Sequence, residues 1–288
     1  MEEILKLREA TYWEAVWDKA KLYGKKPGSD GLAHSVELWE KRAEKFKNNV
    51  KGGRGKKRTG DVINWFENQG LSLEGMTILD IGAGPGAFSC AFAEKKARVT
   101  ALEPTLGMSS TIRERIETEA ITGLEVVQMP WEEVDVKKMG WQENFDMVFI
   151  SMCPGVHNAE LFKKAMSCAK KYVYYSGWAG RRDSEAFSEL WKELYGEEIP
   201  IWRSDIIYNL NWLYAQGYSL AFEVQQDVHP EESSVEDAVE ELMSRLSFLG
   251  KDTTGLIEKV AAFVSERAEA GVFKTNAVSR RGKILVKL

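Results

Sequence analysis

Two carboxylates set around a glycine turn carry the chemistry that this chain advertises most clearly. Thr77-Ile78-Leu79-Asp80-Ile81 is a short apolar run ending in an acid. It passes directly into Gly82-Ala83-Gly84-Pro85-Gly86 and then into a helical stretch at Ala87-Phe88. Glycines let a backbone approach a ligand closely and adopt positive φ without steric cost. A second apolar run closes on Glu103 in Thr100-Ala101-Leu102-Glu103-Pro104. A carboxylate has two acceptor oxygens and matches a vicinal diol. Gly82, Gly84 and Ala87 also satisfy G-x-G-x-x-G/A, so the glycines alone leave a dinucleotide open. Charge separates the two readings. A pyrophosphate seeks the bare positive end of a helix and is disfavoured by a nearby carboxylate, whereas a ligand with cationic groups suits the acidic strand end at Asp80. No Lys-Ser/Thr follows the glycines, which removes a P-loop. The bland alternative is a tight turn that binds nothing.

Other chemistry-bearing residues are sparser. His157, in Cys153-Pro154-Gly155-Val156-His157-Asn158, titrates near neutrality and is the candidate general base. A solvent-facing or helix-capping histidine is its alternative. Cys153 reads as a structural thiol, and Asp146, at the start of its strand, as structural. His34, His157 and His229 are scattered without ligand spacing, so no metal site is expected. Arg181 and Arg182 follow an apolar run and either recognise a carboxylate or phosphate or are simply solvated. Trp39 and Trp178 either wall a pocket or lie buried.

These residues need elements to place them. Short apolar runs at Thr77–Ile81, Arg98–Leu102, Leu124–Gln128, Phe145–Ile150 and Tyr172–Ser176 predict parallel strands buried on both faces. Helices are expected between and after them, at Ala87–Lys95, Leu106–Glu119, Trp131–Lys138, Asn158–Lys170, Ser184–Leu194 and Ser204–Gln216. A longer strand is expected over Tyr218–Val228. The alternation predicts a doubly wound, mostly parallel α/β sheet. Upstream, residues 1–24 read as one amphipathic helix and Val36–Val50 as another, followed by a mobile basic loop, Lys51–Arg58. Residues 229–270 read as a helical insertion before the last strand, with a capping box at Ser233 and Glu236. Val272–Ser279 and Lys283–Leu288 flank Arg280-Arg281-Gly282 as strand, turn and strand. Residues 1–60 are thus expected to be a lid on a domain spanning 61–288.

The 288 residues are 44% hydrophobic and 29% charged, with a formal net charge of −5. An acidic chain of this kind has no global attraction for phosphate backbones. The basic run from Lys41 to Arg58 lacks the aromatic interleaving of a single-strand platform and reads as a solvated entrance segment. The three cysteines form no disulfide framework, and no signal-peptide core or bilayer-length apolar run is present. A cytoplasmic location is the expectation.

Asp80-x-Gly82-x-Gly84-x-Gly86 resembles motif I of the class I, Rossmann-like S-adenosylmethionine-dependent methyltransferases, and Glu103 resembles the ribose-binding acid of that family. The resemblance covers roughly residues 61–228. It implies a seven-stranded Rossmann-like sheet with a helical cap, and S-adenosyl-L-methionine as cofactor. Cofactor contacts are implied at Asp80, Gly82, Ala83, Gly84, Gly86, Glu103, Pro104 and Ser151. In the loop Gln128-Met129-Pro130-Trp131-Glu132-Glu133, Met129 and Trp131 would pack on adenine and Glu132 would bind its edge. Trp39-Glu40-Lys41-Arg42-Ala43 resembles the helix that covers the cofactor in small-molecule methyltransferases. The implied acceptor is therefore a small molecule, not nucleic acid or a membrane. An RNA or protein methyltransferase, a nicotinamide-dependent oxidoreductase and a non-catalytic binder remain as alternatives, and oligomeric state is not legible.

Overall fold

The computed structural model describes residues 2–22, 32, 35–37, 39–41, 53–180, 183–199 and 205–288. Five short runs form parallel strands β1 (Thr77–Ile81), β2 (Arg98–Leu102), β3 (Leu124–Val127), β4 (Phe145–Ser151) and β5 (Ala169–Trp178). Two long strands, β6 (Ser219–Ser234) and β7 (Val272–Lys287), complete a seven-stranded sheet in the order β3-β2-β1-β4-β5-β7-β6. β7 runs antiparallel between β5 and β6. The order reverses between β1 and β4, and in such sheets the carboxyl edge at that switch point is where ligands bind.

The central strands of the sheet are buried on both faces, as the apolar runs demand. Ile78, Met147, Phe149, Tyr174 and Leu285 face α3 (Gly53–Asn68) and α4 (Ala87–Glu94), with α5 (Leu106–Thr118) beyond them. Leu79, Ile81, Val148, Ile150, Tyr175 and Ile284 face the opposite layer. That layer holds α2 (Ala10–Leu22), α6 (Ala159–Met166) and α8 (Ile207–Ala215), reached through Trp17, Phe162 and Trp212. A third core joins α7 (Glu185–Tyr195), α9 (Val235–Phe248) and α10 (Ile257–Arg267) to Phe273 at the outer end of β7. The β6–β7 pairing runs from Ser219–Lys287 out to Ser234–Val272. This ribbon therefore carries the inserted helices past the carboxyl edge of the parallel strands.

Several expectations change here. The amino-terminal helix is broken into α1 (Glu2–Lys6) and α2 by residues 7–9. α2 belongs to the main body: Glu14 Oε1 accepts from Trp212 Nε1 at 2.8 Å and pairs with Lys163 Nζ at 2.5 Å. The basic stretch expected as a loop lies, from Gly53 on, in α3, whose residues 53–68 cross the boundary drawn at residue 60. Its glycines weaken a helix intrinsically. Thr59, Val62, Ile63 and Phe66 nevertheless form one buried stripe, and packing overrides propensity. Of Val36–Val50, residues 36–37 and 39–41 are helical, and 42–50 lie outside the described residues.

Beyond β3, Trp131–Lys138 is not a helix but a single turn at Trp131–Glu133, with Val134 and Val136 buried in the segment after it. The cap of α9 is Ser234, accepting from Asp237 N–H at 3.1 Å, one residue later than the expected box. Arg280-Arg281-Gly282 is not a turn, because β7 is continuous through it. Gly282 is required there by close packing: a Cβ would lie 2.7 Å from Ile206 Cγ2. Among the described residues no helix is long and apolar enough to cross a membrane.

Candidate active site

Asp80 is the next-to-last residue of β1, and the strand's alternation turns its carboxylate toward α4, where Ser89 Oγ donates to it at 2.5 Å. Burial pushes the Asp80 carboxyl up to about 7, reinforced by nearby Glu103 and opposed by Ser89 and Arg58. The turn that follows holds Gly82, Gly84 and Gly86 at φ values of 75°, 57° and 81°. These glycines are not equivalent. A Cβ on Gly82 would lie 2.4 Å from Cys153 Sγ, and one on Gly86 2.8 Å from Ile112, so both positions are closed by packing. At Gly84 the nearest atom is Met108 Sδ at 3.9 Å, so this glycine keeps a surface clear and not an interior contact.

The turn's own amides are already engaged. Gly82 and Ala83 donate to Leu102 O at 2.9 and 3.1 Å, Gly86 to Ala83 O at 3.1 Å, and Gly84 to Glu103 Oε2 at 2.8 Å. Pro85 has no N–H to offer. Only the uncapped first turn of α4 is left to hold a pyrophosphate.

Glu103 is buried at the end of β2, one strand away from Asp80. Its Oε1 accepts from Thr105 N–H at 3.0 Å and Thr105 Oγ1 at 2.8 Å. Burial raises its pKa and Glu40 adds to the rise, against the Thr105 and Gly84 hydrogen bonds. Glu40 accepts from Gly107 N–H at 2.7 Å, at the head of α5. Glu40 thus ties the short helical segment it belongs to onto the first turn of α5, whose Leu106 is 60% exposed.

In the loop after β3, Met129 and Glu132 are half-buried at the surface, but Trp131 is not available to a ligand. It is 2% exposed, donates to Leu161 O at 3.1 Å and carries the Lys164 ammonium 4.6 Å over its ring. The expectation that it packs on adenine gives way to a core role. Burial raises the pKa of Glu132. His157 lies beside it, with Nδ1 4.0 Å from Glu132 Oε1 and 3.2 Å from Pro154 O. Burial pushes the Cys153 thiol up to about 12, in keeping with a structural residue. Asp146 is also structural, joining Thr77 and Lys171 at the opposite edge.

Ser151 closes β4 and brings in a residue that the sequence reading left in solvent. Arg58 of α3 donates to Ser151 Oγ at 2.7 Å, and its guanidinium lies 5.1 Å over the Phe88 ring. Ser151 Oγ is 3.1 Å from Ser176 Oγ on β5. Desolvation depresses the pKa of Arg58, with Arg281 adding repulsion and Asp80 opposing it. An arginine stays charged under such a shift. Its place at four positions before Val62, on the same stripe, was the available signal. Lys56 and Lys57 are exposed, and Arg181 and Arg182 lie outside the described residues.

Residues 78–174 match the profile of the methyltransferase domain family. A methyltransferase of uncharacterized role from Mycobacteroides abscessus is 48% identical over 40 residues, 14% of this chain, and the match spans 15% of that relative's length. A SAM-dependent methyltransferase from Aquifex aeolicus is 15% identical over 82% of this chain and 97% of its own, with a TM-score of 0.46. The magnesium protoporphyrin IX methyltransferase of Synechocystis PCC 6803, solved with SAH, is 15% identical over 78% of this chain and 93% of its own, with a TM-score of 0.44.

Proposed function

From a chain that carries a class I, Rossmann-like methyltransferase domain, we propose S-adenosylmethionine-dependent methyl transfer to a small-molecule acceptor by direct in-line displacement. One observation supports this above the others. Two acids end adjacent strands around a glycine turn that has spent its own amides and leaves Gly84 open. That arrangement suits a cation with a diol and offers little to a dinucleotide.

When bound, S-adenosylmethionine supplies an electrophilic methyl carbon on a sulfonium, and holding it in line with the acceptor is the main task left to the protein. The amino-acid end of this cofactor is a zwitterion, which calls for an acid and a base side by side. Asp80 and Arg58 are such a pair, ionised Asp80 serving the ammonium and Arg58 the carboxylate. Glu103 serves the ribose. Its Oε1 already accepts twice from Thr105, while Oε2 accepts only from the Gly84 N–H and keeps a lone pair for a ribose hydroxyl. Met129, together with exposed Leu106, supplies apolar surface for adenine, and Glu132 its polar edge. Gly82, Ala83, Gly86 and Pro104 shape the backbone beneath, and Ser151 orients Arg58.

His157 is the proton acceptor for a nucleophile that arrives protonated. With Nδ1–H donated to Pro154 O, Nε2 is its basic atom. Replacing it by Gln should leave S-adenosylhomocysteine affinity within about twofold while lowering turnover of such an acceptor.

A small acceptor is supported by what crowds the site. The segment bearing Glu40 rests on α5, and the β6–β7 ribbon carries α9 and α10 past the sheet edge. RNA binding through the basic run loses support because Arg58 turns inward. Calorimetry with S-adenosylhomocysteine and with NAD tests the reading. Micromolar binding of the first and none of the second is expected, and the reverse result would sink it.

A further inference from the structure

Beyond Arg58, the α3 face of the sheet carries a second guanidinium. Arg281 lies on β7 between Trp178 of β5 and Gln225 of β6, in register with both. It shares a face with Lys283, which covers Trp65, and with Leu285 of the α3-side core. It is close enough to Arg58 to depress that residue's pKa. Its acidic partner among the described residues is Asp227, whose other oxygen accepts from Gln225 Nε2 at 3.3 Å. Arg281 Nε is buried and, among the described residues, has no hydrogen-bond partner. The Arg281 and Asp227 side chains are 26% and 23% exposed, so a small molecule can reach them. Gly282, packed against Ile206, fixes the backbone that presents the pair.

A guanidinium offers five N–H donors in a fork that matches carboxylate and phosphate. Two such forks stand together here, Arg58 near Asp80 and Arg281 on Asp227, while Lys283 is already balanced by Glu223 at 2.8 Å. If Arg58 serves the cofactor, Arg281 is left on its β5 side, past the switch point. We infer that Arg281 is an acceptor-recognition residue and that the acceptor carries an oxyanion, a carboxylate or phosphate, for which Asp227 is the internal competitor. This rests on the methyl-donor reading above and names the acceptor class for it.

The test uses full-length protein saturated with S-adenosylhomocysteine in Tris-chloride, titrated with inorganic phosphate and with acetate. Oxyanion binding to the native protein should weaken at least tenfold in Arg281→Gln. It should tighten at least threefold in Asp227→Asn, which removes the competitor; a purely structural ion pair gives no such gain. Affinity for S-adenosylhomocysteine should stay within twofold in both variants. Two results would overturn the inference. One is oxyanion binding that is absent or equal in all three proteins. The other is loss of S-adenosylhomocysteine affinity in Arg281→Gln with 5′-methylthioadenosine affinity kept, which would assign Arg281 to the cofactor's carboxylate. Failure of the native protein to bind S-adenosylhomocysteine appears before any oxyanion is added and removes the donor reading itself.

Discussion

The carboxyl edge of the sheet is assembled in two ways. At its β2–β1 end the key contacts are short in sequence: Ser89 reaches Asp80 across 9 residues, and Gly84 reaches Glu103 across 19. At its β4–β7 end they are long, Arg58 reaching Ser151 across 93 residues and Arg281 reaching Asp227 across 54. The first end is built from strand termini and the turns between them, with its acids buried. The second is built from charged side chains that only packing of distant elements brings together. On the proposed function, cofactor recognition falls where geometry is locally dictated, and acceptor recognition where an insertion and a ribbon can vary without disturbing the turn.

The compact end should break hardest at Trp131. Trp131→Ala removes a buried ring and its bond to Leu161, and should cost about 3–5 kcal/mol of unfolding free energy in urea titration. A variant of native stability with weakened S-adenosylhomocysteine binding would return Trp131 to the adenine site.

Next comes the turn. Gly84→Val should lower S-adenosylhomocysteine affinity by at least a hundredfold, because the side chain fills the cleared surface. The positive φ should cost only about 1–2 kcal/mol of stability. At Gly82 the same change also meets Cys153, so fold and binding should fall together. Calorimetry beside urea unfolding separates the two glycines, and normal binding by Gly84→Val would remove the loop from the site.

The two ends are set against each other by Glu103→Ala and Arg58→Met. Each should weaken S-adenosylhomocysteine binding by about 1.5–3 kcal/mol, the usual range for hydrogen bonds to charged groups. Only Glu103→Ala should also weaken 5′-methylthioadenosine, which keeps the ribose and lacks the amino-acid end. Parallel losses on both ligands in Arg58→Met would show that Arg58 acts through the fold.

Smaller, and dependent on pH, is the effect of Asp80. Its pKa is raised from 3.8 to about 7, so the folded protein holds a proton that the unfolded chain has released. Ligand-free stability from this group is therefore present below pH 4 and is lost as pH rises toward 7. Asp80→Asn should abolish that loss, since Asn still accepts from Ser89. S-adenosylhomocysteine affinity should rise through pH 7 in the native protein and stay flat in the variant. A flat native profile would mean that Asp80 does not meet the ammonium.

Much of the candidate site's framework is legible in the sequence. The first four strands fall within a residue or so of their expected bounds, because an apolar run closed by glycine or an acid has few ways to be buried in a parallel sheet. Asp80, Glu103 and Ser151 stand at strand ends for that reason. Arg58 reads as solvated because the glycines and lysines around it signal a loop, and the helical spacing of Thr59, Val62, Ile63 and Phe66 gains its meaning only when that stripe packs on Phe92 and Tyr174. Trp131 was misplaced because an indole's pattern is the same whether it faces a ligand or Leu161.

Sequence alone was enough for the turn: φ above zero at three glycines and an acid at the end of a buried strand are consequences of residue type and order. Folding in three dimensions was needed for the charge pattern around it. Whether an arginine is solvated or desolvated depends on what packs around it, and Arg58 meets Phe88 and Ser151, and Arg281 meets Asp227, across long stretches of chain. The same holds for β7, read as strand, turn and strand because Arg-Arg-Gly is polar and flexible. Pairing with β6 along its whole length, and with β5 from Arg281 to Lys287, holds its backbone extended through Arg280-Arg281-Gly282, and that gain outweighs the local tendency to turn.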